Sequence, residues 1–419
     1  MTGRSFVPQV LPMRQRAEII HRLLKRRLTE VLPGAMREAG IDCWLILCQE
    51  DNLDPVYTTM IPMDTWCPIL QILVFLDHGD RVEGINISGT NTHDLYGRPY
   101  AGQSEGEQWT RLIRIIEAYD PQRIGINIGE VQWAAGGLTH NLYRQLTARL
   151  PTRYLERLVS AEPLAIRWLT TLTDDDLLMY EHVCAVAHAV IAECYNRQSI
   201  IPGQTSIDDL PWTYWQRCAN LGFTMAFKPY FRSIRSPAMR ERFGTEDRVI
   251  RPGDLIHCDV GLQYLRFNSD HQQLAYVLRP GETDAPTGLV RLLAEANRLQ
   301  DIYLDEFRAG LTGNELLANV LNRAHSGGIS QPRLYSHSVG LFLHEPGPLI
   351  GLPWEQERCP GRGDETLALN SCFTMELSVT ASVPEWDGEE VRCPVEEVVA
   401  FTEAGCRALD GRQTGLYLI

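Results

Sequence analysis

Lysine is almost missing from this 419-residue sequence, which holds only Lys25 and Lys228 and takes the rest of its positive charge from arginine. Few candidates remain for a Schiff-base lysine. No Cys-x-x-Cys pair occurs among eleven cysteines scattered from Cys43 to Cys406. That odd, dispersed set argues against a disulfide framework or a structural zinc site and predicts free thiols in a reducing, cytoplasmic setting. Basic charge is the minority, because 39 lysines and arginines face 53 acids for a net charge of −14. Such a balance repels phosphate backbones, so nucleic acid is not an expected partner. No stretch reads as the ~20 apolar residues of a membrane span, and Arg4, Arg14 and Arg16 are not followed by the apolar run of a secretory leader. A membrane is not an expected partner either. Internal repeats, low-complexity tracts and a Gly-x-x-x-x-Gly-Lys phosphate loop are also missing.

What is present is the composition of an ordered globular chain, 44% hydrophobic, 22% charged and 8% aromatic. At roughly 150 residues per domain, the length predicts two domains. Through the first third, helix and strand patterns alternate. Ile19, Ile20, Leu23, Leu24, Leu28 and Val31 recur at helical spacing within 13–40, with Pro33-Gly34 as punctuation. Cys43–Leu47, Ile69–Leu76, Val82–Ile87 and Arg123–Ile128 read as strands, and Trp109–Ala118 as a helix. This alternation predicts an α/β domain over 1–170. Beyond it, Asp174-Asp175-Asp176 caps an alanine-rich helical stretch to about Tyr195, Ile207–Leu221 is helical again, and strands resume at the Arg251-Pro252-Gly253-Asp254 turn. An α+β domain over 171–419 is expected.

Four segments of the second domain carry chemistry. Asp259 and Asp270 stand eleven residues apart on strand-like sequence, where they could face each other across a hairpin and invite a cation, or simply cap turns. His337 and His344 stand seven apart in an apolar stretch, a spacing unlike a His-Glu-x-x-His helix face. Glu376 sits inside the apolar run Cys372–Leu377, where an unpaired carboxylate is costly. Val395–Glu403 repeats that situation, with strand alternation sending Glu396 and Glu397 to opposite faces. Asp, Asp, His, Glu and Glu on strands suit a pair of divalent ions.

These segments resemble the metal-binding motifs of the pita-bread metallopeptidases, the family of methionine aminopeptidase, aminopeptidase P, prolidase and creatinase. The likeness runs from about Thr171 to the C-terminus. It rests on Arg251-Pro252-Gly253-Asp254-Leu255 leading to Asp259-x-Gly261, on the two spacings, and on Thr402-Glu403-Ala404-Gly405. Gly40-Ile41-Asp42 and Ile124-Gly125-Ile126-Asn127 are similar to the creatinase-type N-terminal domain. The resemblance implies an α/β creatinase-like domain followed by an α+β pita-bread catalytic domain. It implies two divalent ions, of manganese, iron, cobalt or zinc, with Asp259 on one, Asp270 and Glu396 bridging, and His337 with Glu376 on the other. It further implies hydrolysis of a peptide-like amide by a water held between the ions, with Glu376 passing the proton to the leaving nitrogen and His344 touching the substrate. A homodimer is implied as well, and Thr65–Leu70 could contribute to its surface or be core. Two alternatives stand beside the peptidase: a C–N hydrolase or lyase using the same metals on a small molecule, and a binding module without catalysis.

The chain departs from the family pattern in three places. No histidine stands near Met239–Phe243, ahead of the first aspartate. Arg333 stands where aminopeptidase P-like members have a histidine four residues before the metal histidine, and Pro394 replaces the arginine two before the last glutamate, with Arg392 displaced by two. Arg240 or Arg242 could fill the first gap and clamp a substrate carboxylate. The ordinary reading of that basic segment, Lys228–Arg242, is a solvated loop. His257 shares a strand face with Asp259 and is expected to be a hydrogen-bonded neighbour, with the role of an extra ligand as the alternative.

Overall fold

Cys43–Gln49 is largely apolar on both faces, and in the computed structural model, which describes residues 9–98 and 104–419, it is the middle strand of a five-stranded sheet. Leu70–Asp77 and Val82–Asn86 extend the sheet antiparallel on one side, and Ile124–Ile126 and Leu158–Ser160 extend it in parallel on the other. Every central residue but Gln49 is buried, as in a sheet covered on both faces. Helices Glu105–Tyr119 and His140–Arg149 bury Trp109, Leu112, Ile116, Leu142 and Leu146 in the same core. Ser104 caps the first of these, accepting from Glu107 N at 3.3 Å.

Residues 13–40 hold two helices, Met13–Glu30 and Leu32–Glu38. The break falls at Val31 rather than at Pro33-Gly34, because Pro33 occupies the first turn of the second helix, where its missing N–H leaves no bond unmade. In Thr65–Leu70, Cys67 and Leu70 are buried while Trp66 and Ile69 are 74% and 57% exposed, so this stretch is not simply core. All of this lies in one compact unit, Leu11–Asp176.

A second unit holds Leu177–Ile419, entered through helix Asp174–Cys194. The cap of this helix is Thr173, paired with only the last aspartate of the run. Thr173 Oγ1 accepts from Asp176 N at 3.2 Å and Asp176 Oδ2 accepts from Thr173 N at 2.9 Å, a reciprocal capping box. Among the described residues it is the one helix long and apolar enough to cross a membrane by length and composition, against the expectation of no such stretch. Its apolar side chains serve the core instead, with Tyr180, Val183, Cys184, Ala187 and Ile191 buried in the protein.

Strand Leu255–Val260 lies between Tyr230–Ile234 and His271–Tyr276, antiparallel to both. Gly253 makes its entry possible: at φ +98° it shapes the turn in which Asp254 N reaches Arg251 O at 3.0 Å, and a Cβ there would stand 2.6 Å from Arg279 Nε. Two further three-stranded sheets follow. One joins Arg333–Leu334, Leu377–Val383 and Glu389–Val395, and the other joins Ser371–Thr374, Val398–Thr402 and Gly405–Ala408. A bridge between Gln272 and Glu396 ties the strand His271–Tyr276 to the end of the Glu389–Val395 strand. Helices Thr287–Glu306 and Gly313–Ser326 place Leu292, Leu299, Leu316 and Leu317 in a core shared with Phe373, Leu377 and Val391.

Asp259 and Asp270 do not face each other directly. The chain between them makes a small hairpin, Leu262–Tyr264 with Phe267–Asn268, turning on Leu265 and Arg266 in left-handed conformation at φ 51° and 71°. Asp259 therefore stands opposite Gln272, and Asp270 immediately precedes the return strand.

Candidate metal centre

Residues opposite one another across paired strands share a face. Tyr230, Arg232, His257, Asp259, Gln272 and Glu396 accordingly lie on one side, and Cys258, His271, Gln273 and Glu397 on the other. The alternation expected at Glu396 and Glu397 is what the structure has.

On the first side Asp259, Asp270, Glu376 and Glu396 gather with His337. Ligand atoms of Asp270, His337 and Glu396 lie within 4.8 Å of one another, with Asp270 Oδ2 3.7 Å from His337 Nε2. Gln272 Nε2 donates to Glu376 Oε1 at 2.8 Å and to Glu396 Oε2 at 2.7 Å, holding the two glutamates together. Its Oε1 accepts from His257 Nε2 at 2.9 Å, so His257 reaches the cluster through Gln272. Burial raises Asp259 to about 6 and Glu376 to about 7. Asp270 and Glu396 stand well above the ordinary carboxyl range, through burial first and then through each other's neighbours: Asp259 and Glu376 act on Asp270, and Asp270 and Glu376 on Glu396.

Two oxygens of this cluster, Asp270 Oδ1 and Glu396 Oε1, are buried without a hydrogen-bond partner. Four carboxyls that repel, two bare buried oxygens and an imidazole make a donor set that fits divalent cations. The tautomer of His337 fits too. Its Nδ1 donates to Ser338 O at 3.1 Å, leaving the Nε2 lone pair free, and burial together with His344 lowers it to about 3, so it is neutral. The His344 ring lies 4.5 Å from that of His337 and is likewise held below the ordinary histidine value, by burial and by Arg362.

The arginines assigned from sequence are placed differently. Arg240 spends its guanidinium on Arg235 O at 2.6 Å and Glu389 Oε1 at 2.9 Å, and Arg242 is exposed with its guanidinium 5.0 Å from the centre of the Phe243 ring. Neither bonds to the acid and histidine cluster. A cavity of about 50 Å³ beside Glu376 is lined instead by Arg333, Tyr335, Ser378, Arg392 and Pro394.

Sequence reasoning missed the network on the opposite face. Glu397 Oε2 meets His188 Nε2 at 2.7 Å and His271 Nδ1 at 2.9 Å, while its Oε1 accepts from Gln273 Nε2 and Gln413 N, each at 3.0 Å. His188 Nδ1 meets Asp410 Oδ2 at 2.8 Å. His188, His271 and Glu397 could be taken for a second metal group, but the separations decide otherwise. Two atoms each about 2.0–2.1 Å from one tetrahedral zinc stand roughly 3.3 Å apart. The contacts are hydrogen bonds, and His188, bonded to a carboxylate at both nitrogens, is an imidazolium. Although burial opposes its charge, Glu397 and Asp410 raise it to about 10; against the same opposition, His188 and His271 lower Glu397 to about 2. A signal was present in the sequence: His271-Gln272-Gln273 puts three polar residues in a row on a strand whose six residues are all buried.

The α+β unit thus carries a carboxylate and histidine cluster with the donor set of a divalent metal site. The model of metallopeptidase family M24 matches residues 179–403, and the chain belongs to that family. A search of curated proteins finds no match to the chain. Among solved structures, the chain is similar to an X-Pro aminopeptidase from Thermotoga maritima, at 17% identity and TM-score 0.64 over 92% of this chain and 100% of that one. It is also similar to an Xaa-Pro dipeptidase from Bacillus anthracis, at 16% and 0.61 over 95% and 100%, and to a dipeptidase from Pyrococcus horikoshii, at 17% and 0.59 over 94% and 100%. These likenesses show the pita-bread fold, and the family implies dependence on a divalent metal.

Proposed function

We propose that the protein hydrolyses a peptide-like amide in the manner of the Xaa-Pro peptidases, with two divalent ions held by Asp259, Asp270, His337, Glu376 and Glu396. The observation that carries this reading is the pair of buried, partnerless oxygens, Asp270 Oδ1 and Glu396 Oε1, in a cluster of four carboxyls. Bound there, divalent ions would lower the pKa of an attacking water and polarise the amide carbonyl. Glu376 takes the proton of that water as the new C–O bond forms and returns it to the nitrogen as the C–N bond breaks. His344, a neutral imidazole, donates a hydrogen bond to the carbonyl oxygen as it gains charge. Gln272 fixes Glu376 and Glu396 against each other. Manganese, iron, cobalt and zinc all suit such ligands, and availability selects among them. The eleven cysteines are free, which supports a cytoplasmic setting.

Metal analysis of the purified protein and a screen of Xaa-Pro dipeptides, longer Xaa-Pro peptides and non-peptide amides test the reading. Two ions per chain and amide cleavage are expected. No bound ion under metal-replete conditions would leave the non-catalytic binding module. His344→Ala should lower turnover by about 100-fold or more while metal content is unchanged; loss of both ions would make His344 a ligand.

We propose a homodimer in which the exposed Trp66 and Ile69 form part of the contact. Sedimentation should show a dimer at micromolar concentration that Trp66→Asp with Ile69→Asp dissociates. A wild-type monomer at that concentration would reject the dimer.

A further inference from the structure

When ionised, Asp259, Asp270, Glu376 and Glu396 carry four negative charges, which the two divalent ions of the reading above would cancel. Positive charge is then left over. Arg232 lies opposite His257 on the strand face that carries Asp259. Arg333 pairs across strands with Ser378, to whose Oγ Arg392 donates from Nε at 2.9 Å, and Arg333 and Arg392 line one cavity with Glu376. The three guanidinium groups act on one another: Arg333 and Arg392 are exposed and Arg232 is half-buried, and Arg392 is made less basic by desolvation and then by Arg232 and Arg333, with Glu376 opposing.

Their hydrogen-bond partners are neutral or missing. Arg333 Nη2 donates to Pro353 O at 3.2 Å, Arg392 has Ser378, and Arg232 Nε is buried without a partner. Among the described residues, none of the three has a carboxylate within ion-pair distance. Arginines that follow Arg232 in sequence do: Arg235 has Asp247 and Asp254, and Arg240 has Glu389. Arg232 acts on Asp259, and Arg392 and Glu376 act on each other, so these carboxyls offset part of the charge; once two ions take up both carboxyls, three like charges would stand without a counterion, which is unfavourable. In a chain of net charge −14 this is not a consequence of general basicity. Each guanidinium presents a planar fork of donors that a carboxylate matches with two oxygens.

We propose that the substrate is a small dianionic amide, one carboxylate held by Arg333 and Arg392 beside Glu376 and the second by Arg232, as in an N-acylated acidic amino acid or an acidic dipeptide. This rests on the metallohydrolase reading. A neutral peptide would leave all three cations unmatched, and a single carboxylate would leave at least one.

Calorimetric titration of the metal-loaded protein with N-acetyl-L-aspartate, N-acetyl-L-alanine and N-acetyl-L-alaninamide tests the proposal, with metal content measured on the same samples. The expected order is aspartate over alanine over alaninamide, about tenfold per carboxylate. Arg392→Gln and Arg333→Gln should each remove about tenfold from the first two and nothing from the amide, and Arg232→Gln should bring the aspartate derivative down to the alanine derivative. Arg392→Lys, which keeps the charge without the fork, should recover part of the loss. With metal bound, equal affinities for the three probes, or affinities untouched by the arginine substitutions, overturn the dianion alone. A wild-type protein that retains no metal overturns the hydrolase reading and this inference together.

Discussion

Asp270→Asn and Glu396→Gln are each expected to abolish metal binding and hydrolysis, yet to make the metal-free protein more heat-stable than the metal-free wild type. Without an ion, each of these carboxyls is buried among others that raise it, and each has an oxygen with no partner. A neutral isostere removes one charge from the repulsion and keeps the volume. The pH dependence has a definite sign. Asp259 at about 6 and Glu376 at about 7 are raised above their unfolded values, so the folded metal-free protein binds more protons than the unfolded chain from about pH 4 to about pH 7. Stability from these groups is therefore present at about pH 4 and lost as pH rises through 6 and 7. Thermal melts of chelator-treated protein should show Tm falling over that range in the wild type and falling less in either variant. A variant that keeps its metal, or whose metal-free form melts below the wild type at pH 7.5, refutes the assignment.

Glu397→Ala has the largest expected effect on stability. The residue is fully buried and accepts four hydrogen bonds, so truncation strands the His188 imidazolium and leaves His271 Nδ1, Gln273 Nε2 and Gln413 N without their acceptor. Breaking a buried pair in this way costs about 3–5 kcal/mol, or about 10 °C in the melting of a unit this size. The pair has its own pH window. His188, raised from 6.5 to about 10, contributes fully below 6.5 and loses that contribution as pH climbs towards 10. Glu397, lowered from 4.5 to about 2, contributes fully above 4.5 and loses it as pH falls towards 2. The Tm gap between wild type and Glu397→Ala should thus be widest near pH 5.5 and narrower at pH 10. A gap that stays constant with pH would mean that the pair is not ionic.

Much of this arrangement is legible in the sequence because it is periodic. Strand alternation alone separates Glu396 from Glu397, and the apolar run from Cys43 declares a strand buried on both faces. The wrong expectations concern places where local pattern does not decide. The run Asp174-Asp175-Asp176 suggests a cap, but the geometry of a first turn selects Thr173 with Asp176 alone of the three. A direct hairpin from Asp259 to Asp270 was the simplest path, and the turn that diverts it uses Leu265 and Arg266, with no glycine to announce left-handed backbone. His188 meets His271 and Glu397 from a helix far away along the chain, a contact that no spacing records. Basic residues clustered near Arg240 draw attention, yet an acid from a distant strand, Glu389, takes that charge.

Asp270 with His271, and Glu396 with Glu397, are neighbours in the chain that point to opposite sides of the same sheet. Removing one residue between His271 and Leu274, which Gln413 clasps at 2.8 and 2.7 Å, would turn His271 towards the carboxyl cluster and send Asp270 towards His188. A two-residue deletion would shorten the strand while keeping each side chain on its own side. The carboxyl cluster and the imidazolium network are thus built from the same peptide units. Transplanting the centre into another scaffold would require carrying both faces across, because a host with an apolar reverse face has no place for His271 and Glu397.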